Sequence, residues 1–554
     1  MDKPWLKSYP SGISSDIDVN EFQSVAEVFN LSVKKFGDCP AFCNMGTTLS
    51  YTQMDKLTTD LAAYLQSIPG MQKGDRVAIM MPNVLQNPIA IFAVLRAGFT
   101  VVNTNPLYTP RELRHQLKDS GTKVIIVVDN FCSTVQEVIA DTDIQQVITT
   151  QLGDLIKFPK SLIVNLVVKH VKKMVPQYSL PGSITFKQAL SIGASKTLAE
   201  PVLGHEDIAF LQYTGGTTGL AKGAILTNRN MVANMQQASE WIKFSVEERK
   251  EIIITALPLY HIFSLTANCL TFMKSGALNY LITNPRDMPN FVKELGSVRF
   301  TAITGVNTLF NGLLNTEGFK SLDFSSLKLT LGGGMAVQEA VAVRWRRVTG
   351  APLLEAYGLT ETSPAVCINP LNMTEFNGAI GLPVPSTEVS IRTEDGEFLP
   401  QGDVGELCVR GPQVMRGYWN KDEESAFVLD EKGWLKTGDI AMMDEDGFFH
   451  IVDRKKDMIL VSGFNVYPNE IESVIVSCPG VMEVGVIGVE DDKCGEAVKA
   501  VIVRNDDTLT EKEIMEHCRK NLTNYKVPKI IEFRTELPKT NVGKILRREL
   551  RDKK

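Results

Sequence analysis

The run Tyr213-Thr214-Gly215-Gly216-Thr217-Thr218-Gly219-Leu220-Ala221-Lys222-Gly223-Ala224 concentrates anion-binding chemistry in one unbroken stretch. Its glycines let the backbone turn tightly and aim N–H groups at an anion. The threonine hydroxyls add donors, and Lys222 adds a point charge suited to phosphate. A flexible surface loop of small residues is the bland alternative, but it does not call for this density of donors beside a lysine. A Walker A loop needs Gly-Lys-Ser/Thr after its spacer. Here Lys222 precedes Gly223 and Ala224 stands where Ser or Thr would be, so the P-loop nucleotidase pattern is excluded.

The same run resembles the signature of the adenylate-forming (AMP-binding) superfamily, which includes acyl- and aryl-CoA ligases, peptide-synthetase adenylation domains and luciferases. Other elements follow in that family's order: Tyr357-Gly358-Leu359-Thr360-Glu361, Thr437-Gly438-Asp439, Asp453-Arg454, and Gly543-Lys544. The resemblance spans essentially the whole chain. Within the superfamily, Gly433–Lys456 is similar to the fatty acyl-CoA synthetase signature. Asn103–Arg111, Phe464–Glu472 and Lys544–Asp552 resemble its long-chain members.

That resemblance implies ATP-dependent activation of a long-chain fatty acid to its acyl-CoA through an acyl-adenylate, releasing AMP and pyrophosphate. The expected substrates are the fatty acid, ATP and coenzyme A, with Mg2+ as cofactor. The glycine-rich run would hold the β- and γ-phosphates, and Thr360 would contact the α-phosphate. Glu361 is the candidate Mg2+ ligand, since Mg2+ favours one or two carboxylates plus phosphate oxygens and water. Asp439 would accept from the ribose hydroxyls. Tyr357 offers an aromatic face to adenine, and Gly333 and Gly334 permit close approach of the backbone to the base, with Gly358 beside them. Arg454 would reach ribose or phosphate. Lys544 would enter the site for adenylation, although by spacing alone it is one more cation in a basic tail. His261 sits either beside the acyl carboxylate or in the core as a satisfied side chain. Ser462-Gly463-Phe464 would meet coenzyme A. Phe300–Asn311 resembles a tunnel-lining segment, with Gly305 leaving space, and composition does not distinguish that from core packing. A medium-chain or aryl acid–CoA ligase, and a non-catalytic lipid-binding protein on the same fold, remain open.

These residues need a scaffold, and the sequence predicts a layered α/β one. Arg76–Met81 and Lys123–Val128 are apolar runs of the kind that form buried parallel strands. Thr109-Pro110-Arg111-Glu112 is a capping box with proline at the first helical position, and that helix should stop near Gly121. Phe300–Thr304, Leu327–Leu331 and Pro352–Tyr357 are further strands. After about residue 378, short strands at Thr387–Arg392, Glu406–Arg410 and Phe448–Val452 predict a smaller β-rich part. Asn469, with Glu472 three residues on, predicts a helix start. The division expected is an N-terminal adenylation domain over 1–453 with its β-rich part at about 378–453, a hinge at 454–456, and a small mobile α+β domain over 457–554.

The 554 residues are too long for one ordinary core. Hydrophobic residues at 44% and charged residues at 22% exclude a wholly disordered chain. A net charge of −6 gives no support for a nucleic-acid partner. Nine scattered cysteines argue for a reducing compartment. Met1–Trp5 carries no apolar signal core, and no run is long enough to span a bilayer. A cytoplasmic protein, peripherally associated with the inner face of the cytoplasmic membrane, is expected, with a second copy of the chain as a further candidate partner. Leu155–Pro176 mixes apolar residues with Lys157, Lys160, Lys169, Lys172 and Lys173 and contains no acid. It reads either as a helix packed on the domain surface or as an interfacial segment.

Overall fold

The computed structural model describes residues 3–214, 221–462, 464–491, 495–540 and 543–551. Two large sheets carry the main body. One runs Ile184–Thr185, Gln146–Thr150, Val124–Val128, Arg76–Met80, Thr100–Asn103, Ile208–Thr214 and Lys222–Thr227 in spatial order. It is parallel until its last pair, where Ile208–Thr214 and Lys222–Thr227 run antiparallel and Thr214 faces Lys222. Val124–Val128 is buried at every position, as a central parallel strand covered on both faces must be. The other sheet places Leu354–Gly358, Leu329–Gly332, Ala302–Gly305, Ile252–Thr255 and Leu278–Leu281 side by side in parallel, with antiparallel strands at both ends.

The expected cap is present. Thr109 and Glu112 form the reciprocal box, the helix Pro110–Ser120 follows, and Gly121 ends it in the left-handed region. Glu388–Arg392, Gly405–Arg410, Leu435–Met443 and Phe449–Arg454 form a separate antiparallel sheet. It opens at Glu388, because Leu382–Pro383 belongs to the edge of the nine-stranded sheet.

A second hydrophobic cluster begins at Ile459 and includes Ile471, Ile475, Val486, Ala500, Ile502 and Ile514. It shares no member with the main cluster, which extends to Phe449. This small lobe packs a mixed sheet built on Val481–Asp491 and Gly495–Arg504 against the helices Pro468–Val476 and Glu511–Asn521. Asn469 does not cap the first of these. The helix starts at Pro468 after Tyr467. The Asn469 N–H instead donates to Asp453 Oδ2 at 2.8 Å, so an acid from the strand Phe449–Arg454 supplies the oxygen. Glu472 is likewise taken from its box role by Arg547, at 2.7 Å, and by the Val486 N–H.

Candidate active site

Three chain segments build one wall. The strand Lys222–Thr227 leads away from the glycine-rich run and is laced to residues 415–419 by backbone bonds. The Ile225 N–H donates to the Gly417 carbonyl at 2.9 Å, and the Trp419 N–H donates to the Gly223 carbonyl at 2.8 Å. The Met415 N–H donates to the Glu361 carbonyl at 2.8 Å, which ties in the Thr360–Glu361 turn. Gly358 enters that turn with the Pro364 carbonyl so close that a Cβ would sit 1.9 Å from its oxygen, and only glycine fits.

Gly215, Gly216, Thr217, Thr218, Gly219 and Leu220, expected to hold the β- and γ-phosphates, lie outside the described residues. The flanking residues serve mainly as supports. The Tyr213 hydroxyl donates to Asp119 Oδ2 at 2.6 Å, and its ring fills the space beside Gly223 that a Cβ would need. The Ala221 carbonyl accepts from His115 Nε2 at 2.8 Å. Ala224 is a fully buried strand residue bridged to Tyr418. Tyr213 and Ala224 are therefore tied into the packing around the strand Lys222–Thr227. Lys222 keeps its ammonium 4.5 Å from the centroid of the Tyr418 ring, and no carboxylate among the described residues pairs with it.

The second part of the site joins the large body to its small β-sheet. Asp439 is almost fully buried. It accepts from the Tyr357 hydroxyl at 2.6 Å and from Arg454 Nε at 3.1 Å. Burial, then the Asp439 carboxylate, pushes the Tyr357 phenol far above its ordinary range, so it stays a donor. Gly334 takes a positive φ of 77°, and a Cβ on Gly333 would press on the Phe263 ring at 3.1 Å. Beneath this turn lies Glu355, buried, accepting from the Val337 N–H at 3.2 Å, with burial pushing its carboxyl up to about 8.

The third part comes from the small lobe. Lys544 stands in a turn closed by the Thr540 N–H donating to its carbonyl at 2.7 Å. The neighbouring Gly543 carbonyl accepts from the Thr308 hydroxyl of the large body at 3.2 Å. A Cβ at Gly543 would meet that hydroxyl at 2.6 Å, so glycine permits this seating. Burial, then Arg454, pushes the Lys544 ammonium down to about 7, against the pull of Asp439. Burial and Lys544 in turn push His261 down to about 4, so the imidazole is neutral near pH 7. A cleft of about 1250 Å³ opens between the lobes, with Pro258, Met288 and Leu309 on one side and Phe533, Leu537 and Thr540 on the other.

The structure thus brings Thr360, Glu361, Tyr357, Asp439, Arg454, His261 and Lys544 to one region. It does not bring Ser462 and Phe464 there. Both are exposed, and the Phe464 ring stacks on Tyr525 of the same lobe at 4.9 Å. Gly463 lies outside the described residues. Gly305 does not leave open space beside it: a Cβ there would meet the Leu309 and Phe310 side chains at 2.9 Å. Tyr418, Asp119, Glu355 and Arg547 were not singled out by sequence. The run Met415-Arg416-Gly417-Tyr418-Trp419, with two aromatics after a glycine, is the one local signal that could have found any of them.

The donor set fits a magnesium ion held chiefly by substrate. Glu361 is half-buried, one carboxylate oxygen accepts from Tyr418 at 2.7 Å, and among the described residues nothing donates to the other. No cage of three or more acidic, histidine or cysteine side chains forms among the described residues. A single carboxylate beside a phosphate site is the usual Mg2+ arrangement.

Comparison with known proteins agrees with this geometry. Residues 29–419 match the AMP-binding enzyme family, and residues 470–544 match the AMP-binding enzyme C-terminal domain. A long-chain-fatty-acid–CoA ligase of Escherichia coli O6:H1 is 55% identical over 552 residues, covering 100% of this chain and 98% of that one. A Bacillus subtilis protein of the same name is 39% identical over 99% of this chain and 97% of its own. The crystal structure of ATP-bound MatB from Rhodopseudomonas palustris superposes with a TM-score of 0.79 at 27% identity, covering 95% of this chain and 98% of that one. The chain belongs to the AMP-binding enzyme family.

Proposed function

We propose that the protein activates long-chain fatty acids to acyl-CoA in two steps. The carboxylate first attacks the α-phosphorus of ATP and expels pyrophosphate. The thiol of coenzyme A then attacks the acyl-adenylate and releases AMP. The observation that carries the reading is the seating of Lys544, from the small lobe, beside Arg454 and Asp439 of the large one. Full-length similarity to long-chain-fatty-acid–CoA ligases supports the substrate class.

In-line displacement at phosphorus needs positioning and charge dispersal rather than a covalent intermediate. Asp439 exchanges its protein donors for the ribose hydroxyls. Thr360 and Arg454 border the α-phosphate, Lys222 faces the departing pyrophosphate, and Lys544 places a cation where negative charge grows. Neutral His261 adds no charge beside the incoming carboxylate. Magnesium bound at Glu361 would supply Lewis-acid neutralisation of the phosphate oxygens. Acyl transfer calls for a different lobe arrangement, because Ser462 and Phe464 are exposed while Lys544 occupies the site. The turn after Arg454 is the hinge. The main core ends before it, the small-lobe core begins at Ile459, and the Lys455 N–H still bonds the Gly438 carbonyl.

The protein collects its substrate at an anionic membrane surface through residues 155–176. Phe158 is 81% exposed and Val171 73%, with Leu162, Ile163, Leu166 and Met174 also exposed beside the lysines. No helix among the described residues is long and apolar enough to cross a membrane. Replacing Lys169, Lys172 and Lys173 with glutamate should release the protein from anionic vesicles and leave activity on detergent-solubilised substrate intact. Unchanged co-sedimentation at low salt would remove this segment as the anchor.

The decisive test of substrate class is acid-dependent ATP–pyrophosphate exchange across octanoate, palmitate and an aryl acid such as ferulate. Highest kcat/KM with palmitate supports the reading. Highest kcat/KM with the aryl acid would replace it, and no exchange with any acid would make the chain a binder.

A further inference from the structure

Tyr418 lies where the two charged ends of the phosphate wall meet. Its hydroxyl donates to Glu361 Oε1 at 2.7 Å, and its ring carries the Lys222 ammonium 4.5 Å from the centroid. The side chain is buried and its backbone has little freedom. The Tyr418 N–H donates to Ser425 Oγ at 2.8 Å, and its two neighbours bond across to the strand that bears Lys222. Trp419 adds an anchor through Nε1–H to the Asp119 carbonyl at 3.0 Å.

A phenol offers both a hydroxyl donor at its tip and an aromatic face. The hydroxyl occupies one oxygen of Glu361 and leaves the other for a cation. The face attracts an ammonium without neutralising it, as a carboxylate would. We propose that Tyr418 is a positioning residue that sets both charges of the phosphate wall: it aims Glu361 at the metal and holds Lys222 toward the pyrophosphate. This rests on the adenylation reading above, in which Glu361 and Lys222 take those roles.

The two halves separate by substitution. Tyr418→Phe keeps the face and removes the donor, and Tyr418→Leu removes both. The probes are Mn2+, followed by electron paramagnetic resonance, and α,β-methylene-ATP, followed by calorimetry. Metal-free affinity for the analogue is measured in EDTA, and Mn2+ affinity on the analogue-saturated protein. Tyr418→Phe should weaken Mn2+ about tenfold, the loss of one charge-assisted hydrogen bond, and leave metal-free analogue affinity unchanged. Tyr418→Leu should lose Mn2+ affinity equally and also weaken the metal-free analogue about threefold. Adding Tyr418→Phe to Glu361→Gln should cost no further Mn2+ affinity, because the partner is already altered. Wild-type Mn2+ affinity in Tyr418→Phe overturns the proposal, as does equal loss of both affinities in the Phe variant, which would mark a merely structural tyrosine. If the Leu variant does not fold, the near-isosteric Phe variant and the double mutant decide alone. Failure of the adenylation reading shows separately, as absence of acid-dependent exchange in the wild-type protein.

Discussion

The phosphate wall and the Lys544 loop serve the same site and are built in opposite ways. The wall is bound into the large body by backbone bonds among residues 223–225, 361 and 415–419. The Lys544 loop reaches the same region from the small lobe, where Leu537, Ile545 and Leu550 pack together, and its described hydrogen bond across the cleft at Gly543 is the one from Thr308. On the two-step reading proposed above, a group needed throughout is fixed, and a group needed for one step is delivered on the smaller lobe. Moving between arrangements must also break the contacts that Asn469 and Arg547 make with Asp453 across the lobe boundary.

On the fixed side the largest effect should come from Glu361. Glu361→Gln should lower pyrophosphate exchange on the order of 10²-fold or more while leaving acyl transfer from supplied acyl-adenylate near wild type. Exchange kinetics at saturating Mg2+ check this, and full activity would move the metal elsewhere on the wall.

The hinge comes next. Lys456→Pro fixes φ near −65° and should trap one lobe arrangement. One half-reaction should then survive while the other falls by about 10-fold or more. Wild-type rates in both would put the pivot elsewhere.

A pH profile sharpens the contrast further. Lys544 is held down to about 7 in the free protein, so its charged form is lost as pH rises through that value. At low ATP, kcat/KM for exchange should fall about tenfold per pH unit above 7. At saturating ATP the limb should move to higher pH, because the triphosphate restores the proton. Identical limbs under both conditions would assign the titration to another group.

The smallest effect concerns the fixed body itself. Glu355 binds its proton up to about pH 8 in the folded state, while an unfolded glutamate loses it near 4.3. Between those values the folded state binds more protons, so stability falls as pH rises. Glu355→Gln keeps the acceptor for Val337 and removes the titration. Its Tm relative to wild type should rise by roughly 4 °C between pH 5 and pH 8. A constant difference at both pH values would show that Glu355 does not titrate.

Sequence carried the features that are local. The Thr109 capping box, the uniformly apolar Val124–Val128 strand and the ordered motifs around Tyr357, Asp439 and Lys544 are short contiguous patterns with a direct physical meaning. What escaped depends on residues far apart in the chain. Tyr418 meets Glu361, and Tyr213 meets Asp119, only after the sheets assemble. Arg547 reads as part of a basic tail, yet it is largely buried and pairs with Asp453 at 3.3 Å and with Glu472 at 2.7 Å. Asn469 lost its expected cap role for the same reason, since the helix starts at Pro468 and the distant Asp453 carboxylate, not Glu472, accepts from its N–H.

The most direct test of a delivered lysine separates the half-reactions in one variant. Lys544→Ala should be assayed for palmitate-dependent ATP–pyrophosphate exchange and, in parallel, for thioester formation from supplied palmitoyl-adenylate and coenzyme A. Delivery of Lys544 for the first step alone predicts exchange reduced on the order of 10²–10³-fold with thioester formation near the wild-type rate. Equal loss in both half-reactions would contradict it.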